Sequence, residues 1–173
     1  MKQKELYSAR LYCRPISPLD LEQIAILYND ERVNRFTANP QGLSEAEVKS
    51  MLDAWKSHWE QHEFGPWLIC DASSKEMIGL GGISLRNFDD YVFPNLWYRL
   101  SPKVWGRAYA SEFVGTCLTW FAKHHSQLEL HALVKEENIA SIRILEKNRM
   151  VRVGSLRSEK SGASLHYRLP SQA

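Results

Sequence analysis

No two cysteines in this 173-residue sequence stand at C-x-x-C spacing. Cys13, Cys70 and Cys117 are odd in number, far apart and set among apolar or strand-like neighbours. That excludes a zinc ribbon or a thioredoxin-type motif and points to buried free thiols in a reducing compartment. Long hydrophobic runs are missing as well. No stretch approaches the ~20 apolar residues of a membrane span, and the opening MKQKELYSARLYCRP holds no signal-peptide core. The expectation is a soluble cytoplasmic protein without a membrane partner. Charge of one sign is scarce: 22 Lys+Arg face 20 Asp+Glu, a balance of +2. This excludes the basic composition of a DNA-packaging protein and the acidic composition of a disordered tail, and no basic-aromatic run suggests nucleic acid. Repeats, low-complexity tracts and Pro/Gly/Ser linkers are absent, so residues 1–173 read as one domain. The familiar phosphate fingerprints are absent too. There is no G-x-x-x-x-G-K-[ST], and Gly79-Leu80-Gly81-Gly82 has Ser84 where a dinucleotide fingerprint needs its last glycine.

What is present is an alternation of strand and helix signals. Arg10 to Ile16 reads as a strand. Ser17-Pro18-Leu19-Asp20 reads as a helix start, with Ser as N-cap, Pro at N1 and Asp reaching back. Leu21, Ile24, Ala25 and Tyr28 then recur at helical spacing. Ser44 to Glu47 forms a second capping box, followed by a single apolar stripe of Val48, Met51, Leu52, Trp55 and Trp59. That helix should fade near Phe64-Gly65-Pro66. Trp67 to Asp71 and Met77 to Leu85 read as a hairpin, and Val92 to Leu100 as a further strand with Pro94 at an end or bulge. Beyond a loop at 101–108, Ala110, Phe113, Val114, Cys117, Leu118 and Phe121 mark the buried face of a helix. Leu128 to Val134 reads as a strand and Asn138 to Lys147 as a helix. Met150 to Gly154 and Leu165 to Leu169 read as the closing strands of a mixed β/α domain.

The loop between Leu100 and Ala110 has the makings of an anion trap. The first N–H groups of a helix lack internal partners and carry the positive end of its dipole. Gly106 and Ala108 keep side chains out of the way of phosphate oxygens, while Lys103 and Arg107 add positive charge. An ordinary strand-to-helix turn is the alternative on loop physics alone.

Lys103-Val104-Trp105-Gly106-Arg107-Ala108-Tyr109-Ala110-Ser111-Glu112 resembles the acetyl-CoA pyrophosphate loop of the GNAT N-acetyltransferases, with Lys103 replacing the usual Gln or Arg. Pro-x-x-Trp-Gly-Arg followed by Tyr-Ala-Ser-Glu resembles the branch containing the RimJ/RimL-type ribosomal-protein N-terminal acetyltransferases. So does Asn138-Ile139-Ala140-Ser141-Ile142-Arg143-Ile144-Leu145-Glu146-Lys147. The resemblance covers roughly residues 8–169. It implies the GNAT acyl-CoA N-acyltransferase fold: an α/β (α+β) domain whose mixed sheet of about seven strands is splayed at the CoA site and flanked by about four helices. It implies acetyl-CoA as co-substrate, no metal, and as acceptor either an amine-bearing small molecule or a protein N-terminus. A monomer or a homodimer is common in such a family.

The resemblance also assigns roles. Backbone N–H groups around Trp105, Gly106, Arg107, Ala108, Tyr109 and Ala110 would hold the CoA diphosphate. Leu100 would lie beside a splayed neighbouring strand where the pantetheine arm pairs as a pseudo-strand. Asn138 would bond that arm, Ser141 would lie near the thioester sulfur, and Lys103, Arg143 and Lys147 would reach phosphates unless they are simply solvated.

Acetyl transfer also needs a base for the amine proton and an acid for the leaving thiolate. Many superfamily members place a tyrosine one residue before the Glu-Lys pair. This chain has Leu145 there, which shifts the acid role to Ser141. The acidic residue often found on the fourth strand is Asn95 here, leaving Glu159 or a relayed water as base. Arg35 and Phe36, between the first two helices, are candidates for the acceptor site. His58 and His62 have a metal-capable spacing but lack a third ligand. A catalytically weak acyl-CoA-binding or sensing domain is the alternative reading.

Overall fold

A computed structural model describes residues 4–37, 40–88, 91–158 and 162–170. Its elements run β1 (Leu6–Tyr7), β2 (Leu11–Pro15), α1 (Leu21–Tyr28), α2 (Glu31–Asn34), α3 (Glu45–His62), β3 (Pro66–Asp71), β4 (Met77–Phe88) and β5 (Tyr91–Leu100). They continue with α4 (Tyr109–His124), β6 (His131–Val134), α5 (Ile139–Lys147), β7 (Val151–Ser158) and β8 (Gly162–Arg168). Among the described residues the eight strands form one open sheet in the order β1-β2-β3-β4-β5-β6-β8-β7. This is the expected mixed sheet, with β1 and α2 added. Those two span two and four residues, too short for periodicity to reveal them.

Local chemistry sets the boundaries. The Ser17–Asp20 signal produces a short 3-10 turn at Pro18–Asp20 before α1 begins. The Asp20 carboxylate accepts from the Ser17 backbone N–H at 2.8 Å and from the Arg14 fork at 2.8 and 2.6 Å. Burial pushes the Asp20 carboxyl up, but these hydrogen bonds outweigh it and hold it below the ordinary carboxylate value. Ser44 and Glu47 close the capping box that opens α3. The α3 stripe buries Val48, Leu52 and Trp59. His58 departs from the solvated role its helix-end position suggests. Its Nδ1 meets the Phe64 carbonyl at 2.8 Å and its Nε2 accepts the Leu85 N–H at 3.0 Å, tying α3 to β4.

The sheet separates two apolar layers. On one face α4 and α5 bury Phe113, Val114, Cys117, Phe121 and Leu145 against Trp67, Ile69, Ile83 and Leu96. On the other, α1 and α3 bury Ile24, Leu27, Val48 and Leu52 against Leu68, Cys70 and Leu80. All three cysteines are buried free thiols.

Two strand expectations need correction. Pro94 sits within β5, opposite Leu85 in an unbroken β4–β5 register, rather than at an end or a bulge. The reason lies on its other side: β6 pairs with β5 only at Asn95↔His131 and Leu96↔Ala132, so Pro94 borders an unpaired edge. The strand expected from Leu128 starts at His131, because a backbone turn from Leu128 N–H to the His125 carbonyl occupies the preceding residues.

Candidate active site

The β5–β6 junction is where the sheet opens. The two strands run parallel and share only two register pairs, ending at Leu96↔Ala132. β5 then stays with β4 as far as Gly79↔Leu100, while β6 stays with β8 as far as Val134↔Leu165. Residues 97–100 therefore have no β6 partner. An edge of this kind is a ready template for a ligand's amide groups.

Beyond Leu100 the chain makes a 3-10 turn at Pro102–Val104, capped by Ser101, and enters α4 through two left-handed residues, Gly106 at φ +73° and Ala108 at φ +62°. No atom lies within 4 Å of where a Gly106 Cβ would stand. The first helical bond of α4 runs from Glu112 N–H to the Ala108 carbonyl, so the helix itself provides no acceptor for the N–H groups of its first turn. Trp105 is half exposed, at 50%, and its Nε1 donates to the Leu100 carbonyl at 2.8 Å, latching the loop to the end of β5.

Arg10 braces this loop from below. Its Nη1 donates to the Arg107 carbonyl at 3.0 Å and its Nε to Glu112 Oε2 at 2.7 Å, while its guanidinium lies 4.3 Å from the Tyr109 ring centre. The Tyr109 side chain faces inward, and its hydroxyl donates to Asp71 Oδ2 at 2.8 Å. Bonds from the Ser73 hydroxyl, the Ser74 N–H and the Tyr109 hydroxyl hold the Asp71 carboxyl far below its ordinary value. Tyr109 thus offers an anion only its backbone N–H.

α5 runs alongside. Asn138 caps it, its side chain accepting the Ser141 N–H at 3.2 Å. Ser141 lies against the buried Tyr98 hydroxyl of β5, which completes no hydrogen bond of good geometry. Burial pushes that phenol up to about 12, so it stays protonated. At the far end Asn148 Nδ2 donates to Ser111 Oγ at 3.3 Å in the first turn of α4. The span from Ser141 to Asn148, about 10 Å of helix, joins the opening in the sheet to the N-terminus of α4. Lys103, Arg107, Arg143 and Lys147 are exposed, and among the described residues none pairs with a carboxylate. Leu145 is buried in the core.

The other face of the opening has a different character. Trp97 stacks near Trp55 with centroids 5.5 Å apart, and Arg99 lies 3.9 Å over the Tyr28 ring. Arg99 Nη1 donates to the buried Asn34 Oδ1 at 2.6 Å. Arg35 and Phe36 follow Asn34 directly, with the guanidinium 5.2 Å over the phenyl ring. Phe93 contacts both His131 and His166, and His131 Nδ1 meets His166 Nε2 at 2.8 Å. Burial lowers the pKa of both histidines. Their mutual repulsion adds to this at His131, Arg168 lowers both, and Glu129 partly opposes it at His131. Asn95, in register with His131, has a buried and unpartnered Oδ1. Glu159 lies outside the described residues.

The loop and both ends of α5 are legible in the sequence, whereas Arg10, Tyr98, Arg99 and the His131–His166 pair are not. Alternation along β5 is the one signal that places Tyr98 and Arg99 on opposite faces. Nothing local joins Arg10 to residue 107 or His131 to residue 166. Among the described residues no group of three or more His, Cys, Asp or Glu is placed to hold a metal, and no helix is long and apolar enough to cross a membrane.

A sheet split between parallel strands, with an unsatisfied helix N-terminus at one end of the split and a capped helix beside it, is an α/β arrangement with free amide edges and free helix N–H groups. Residues 10–151 match the model of the acetyltransferase (GNAT) domain, and the chain belongs to that family. The uncharacterized N-acetyltransferase YoaA of Bacillus subtilis is 24% identical over 152 residues, 88% of this chain and 85% of that one. Among solved structures, a GnaT-family acetyltransferase from Bordetella pertussis superposes with TM-score 0.85 at 20% identity, covering 97% of this chain and 100% of that one. Spermidine N-acetyltransferase from Vibrio cholerae, in complex with CoA and spermine, superposes at 0.71 with 19% identity over 93% and 94% of the two chains. RimL, a ribosomal L7/L12 alpha-N-protein acetyltransferase in complex with CoA, superposes at 0.75 with 15% identity over 95% and 96%. These likenesses are of fold.

Proposed function

We propose that this chain is a single-domain N-acetyltransferase that moves an acetyl group from acetyl-CoA to a primary amine within a ternary complex. The observation that carries the reading is the continuity of three features: the open β5 edge at 97–100, the Gly106–Ala108 loop leading into α4, and α5 spanning the distance between them. In this reading the diphosphate lies on N–H groups from Gly106 to Ala110, with Lys103, Arg107, Arg143 and Lys147 around it. The pantetheine arm pairs with β5 near Leu100, and Asn138 bonds it. Of the site residues, Trp105 acts through its latch on Leu100.

The amine nitrogen attacks the acetyl carbonyl, the C–N bond forms, the C–S bond breaks and the amine loses one proton as the thiolate gains one. Holding the two reactants together supplies much of the rate. A free β5 N–H stabilises the oxygen as charge develops on it. Ser141 gives the proton to sulfur, and the buried Tyr98 phenol beside it keeps that environment proton-donating. Glu159 is the receiver that the sequence offers. The neutral His131–His166 pair, on the opposite face at the root of the opening, is the receiver that the geometry offers. Kinship of fold with RimL, together with the Trp-Gly-Arg and Asn-x-x-Ser motifs, supports placement in the RimJ/RimL-like branch. The test is thiol release from acetyl-CoA across amines and peptides. Release that depends on added amine, and that falls in Ser141→Ala with little change in CoA affinity, supports transfer. Tight CoA binding without release would favour an acyl-CoA-sensing domain instead.

A further inference from the structure

Among the described residues five arginines donate side-chain hydrogen bonds, and four of them have a carboxylate partner. Arg10 pairs with Glu112, Arg14 with Asp20, Arg32 with Asp30 and Arg168 with Glu129. Arg99 is the exception. It lies three residues beyond the last β5–β6 pair, on the lip of the opening that faces α1 and α2. Its guanidinium is held from two sides, by the Asn34 amide oxygen at 2.6 Å and by the Tyr28 ring at 3.9 Å. Asn34 is itself buried and fixed by a bond from its amide nitrogen to the Tyr28 carbonyl. Both partners are neutral. A guanidinium carries five N–H donors and stays charged, and Asn34 takes only one of them. Burial pulls the Arg99 pKa down, Tyr28 offsets this only in part, and among the described residues no carboxylate pairs with the guanidinium. A half-buried charge without a carboxylate partner is costly unless something pairs with it. Rigid orientation by Asn34 and Tyr28 is how a protein prepares such a group for a ligand.

We infer that Arg99, oriented by Asn34 and Tyr28, is an anion subsite of the acceptor pocket, and that the acceptor is an amine whose own molecule carries a carboxylate. This rests on the transferase reading, in which acetyl-CoA takes the α4–α5 face and the acceptor approaches the opening from the α1–α3 face. The surroundings fit an amine with a carboxylate on an apolar or aromatic body, because Trp97, Trp55 and Tyr28 line the same face beside Arg99. They disfavour a polyamine, whose charges would meet a like charge with no carboxylate to relieve it.

The experiment presents the enzyme and acetyl-CoA with amino acids and ω-amino acids of increasing chain length. Each is paired with its carboxamide, and spermidine is included as a separate arm. The acid of the best pair should exceed its amide by about tenfold or more in kcat/KM, mainly through KM. Arg99→Met should collapse that ratio toward one, and Arg99→Lys should keep part of it. Circular dichroism of both variants checks the fold, since Arg99 also ties α2 to β5. Equal use of acids and amides by the unaltered enzyme, or a preference for spermidine, overturns the anion subsite and leaves acetyl transfer standing. If no amine releases thiol, the transferase reading fails separately. Quenching of tryptophan fluorescence by the N-acetylated acid against its amide, with CoA present, then decides the subsite. Acid-selective quenching that Arg99→Met abolishes upholds it, and unselective or absent quenching overturns it.

Discussion

Gly106 adopts φ +73° in open space, so a side chain there is opposed by the backbone and not by neighbours. Gly106→Val should cost about 1–2 kcal/mol in urea unfolding and weaken CoA binding by about tenfold or more, as the loop N–H groups lose their arrangement. Ala108 accepts a similar left-handed strain without glycine's freedom, the kind of tension that collects at ligand sites. Arg10 illustrates what a sequence conceals. The Trp-Gly-Arg-Ala string displays the loop, yet the residue that holds the loop's carbonyl at 107 and stacks on Tyr109 lies 97 positions earlier. Arg10→Met should reduce CoA affinity in a calorimetric titration although Arg10 sits behind the loop. Unchanged affinity would show the loop to be self-supporting. Tyr98 and Arg99 are adjacent and face opposite ways, one toward Ser141 and one toward Asn34. Strand alternation carries that division, but only the fold says which face belongs to which ligand.

At the scale of elements, α5 carries two duties through one side chain. Asn138 caps the helix by accepting the Ser141 N–H, and in the proposed function it also bonds the pantetheine arm. The two duties separate by substitution. Asn138→Ser preserves a capping oxygen and should leave stability within a few tenths of a kcal/mol while lowering CoA affinity. Asn138→Ala should lower CoA affinity and in addition cost about 1 kcal/mol of stability. Thermal unfolding with and without CoA reads both effects, and an unchanged affinity in the serine variant would remove Asn138 from the cofactor site. Helices and strands with long apolar periodicity, such as α3 and α4, were open to sequence reading because one buried face repeats over several turns. β1, α2 and the true start of β6 were not, since pairing partners and turns rather than periodicity set them. The splay, too, is a relation between β5 and β6 and belongs to neither sequence alone.

At the scale of the whole molecule, the sheet divides the work. One face carries the exposed cations and helix N–H groups that the proposed function assigns to a phosphorylated co-substrate, and the other gathers aromatic rings, Arg99 and the histidine pair. Near-neutral net charge hides this division, because the basic groups are local. The histidine pair also links the fold to pH. Burial holds the pKa of His131 and His166 below the ordinary 6.5, so the unfolded chain binds more protons than the folded one between the lowered values and 6.5. Stability should therefore fall as pH drops below 6.5, before Asp20 and Glu112, whose pKa values are depressed below the ordinary carboxylate range, begin to matter. In His131→Gln that early loss should shrink, measured by denaturant midpoints from pH 7.5 to 5. If the pair also takes the amine's proton, the acid limb of the rate profile shifts in the same variant.

In the proposed function the continuous path from the β5 edge to the α4 N-terminus delivers an acetyl group to an amine. Steady-state release of free thiol from acetyl-CoA, with and without an amino-acid acceptor, tests it most directly. Release should saturate with the amine, yield the N-acetylated product in equal amount, and fall by about tenfold or more in Gly106→Val at limiting acetyl-CoA. Release that is indifferent to every amine, or that persists unaltered in Gly106→Val, would contradict it.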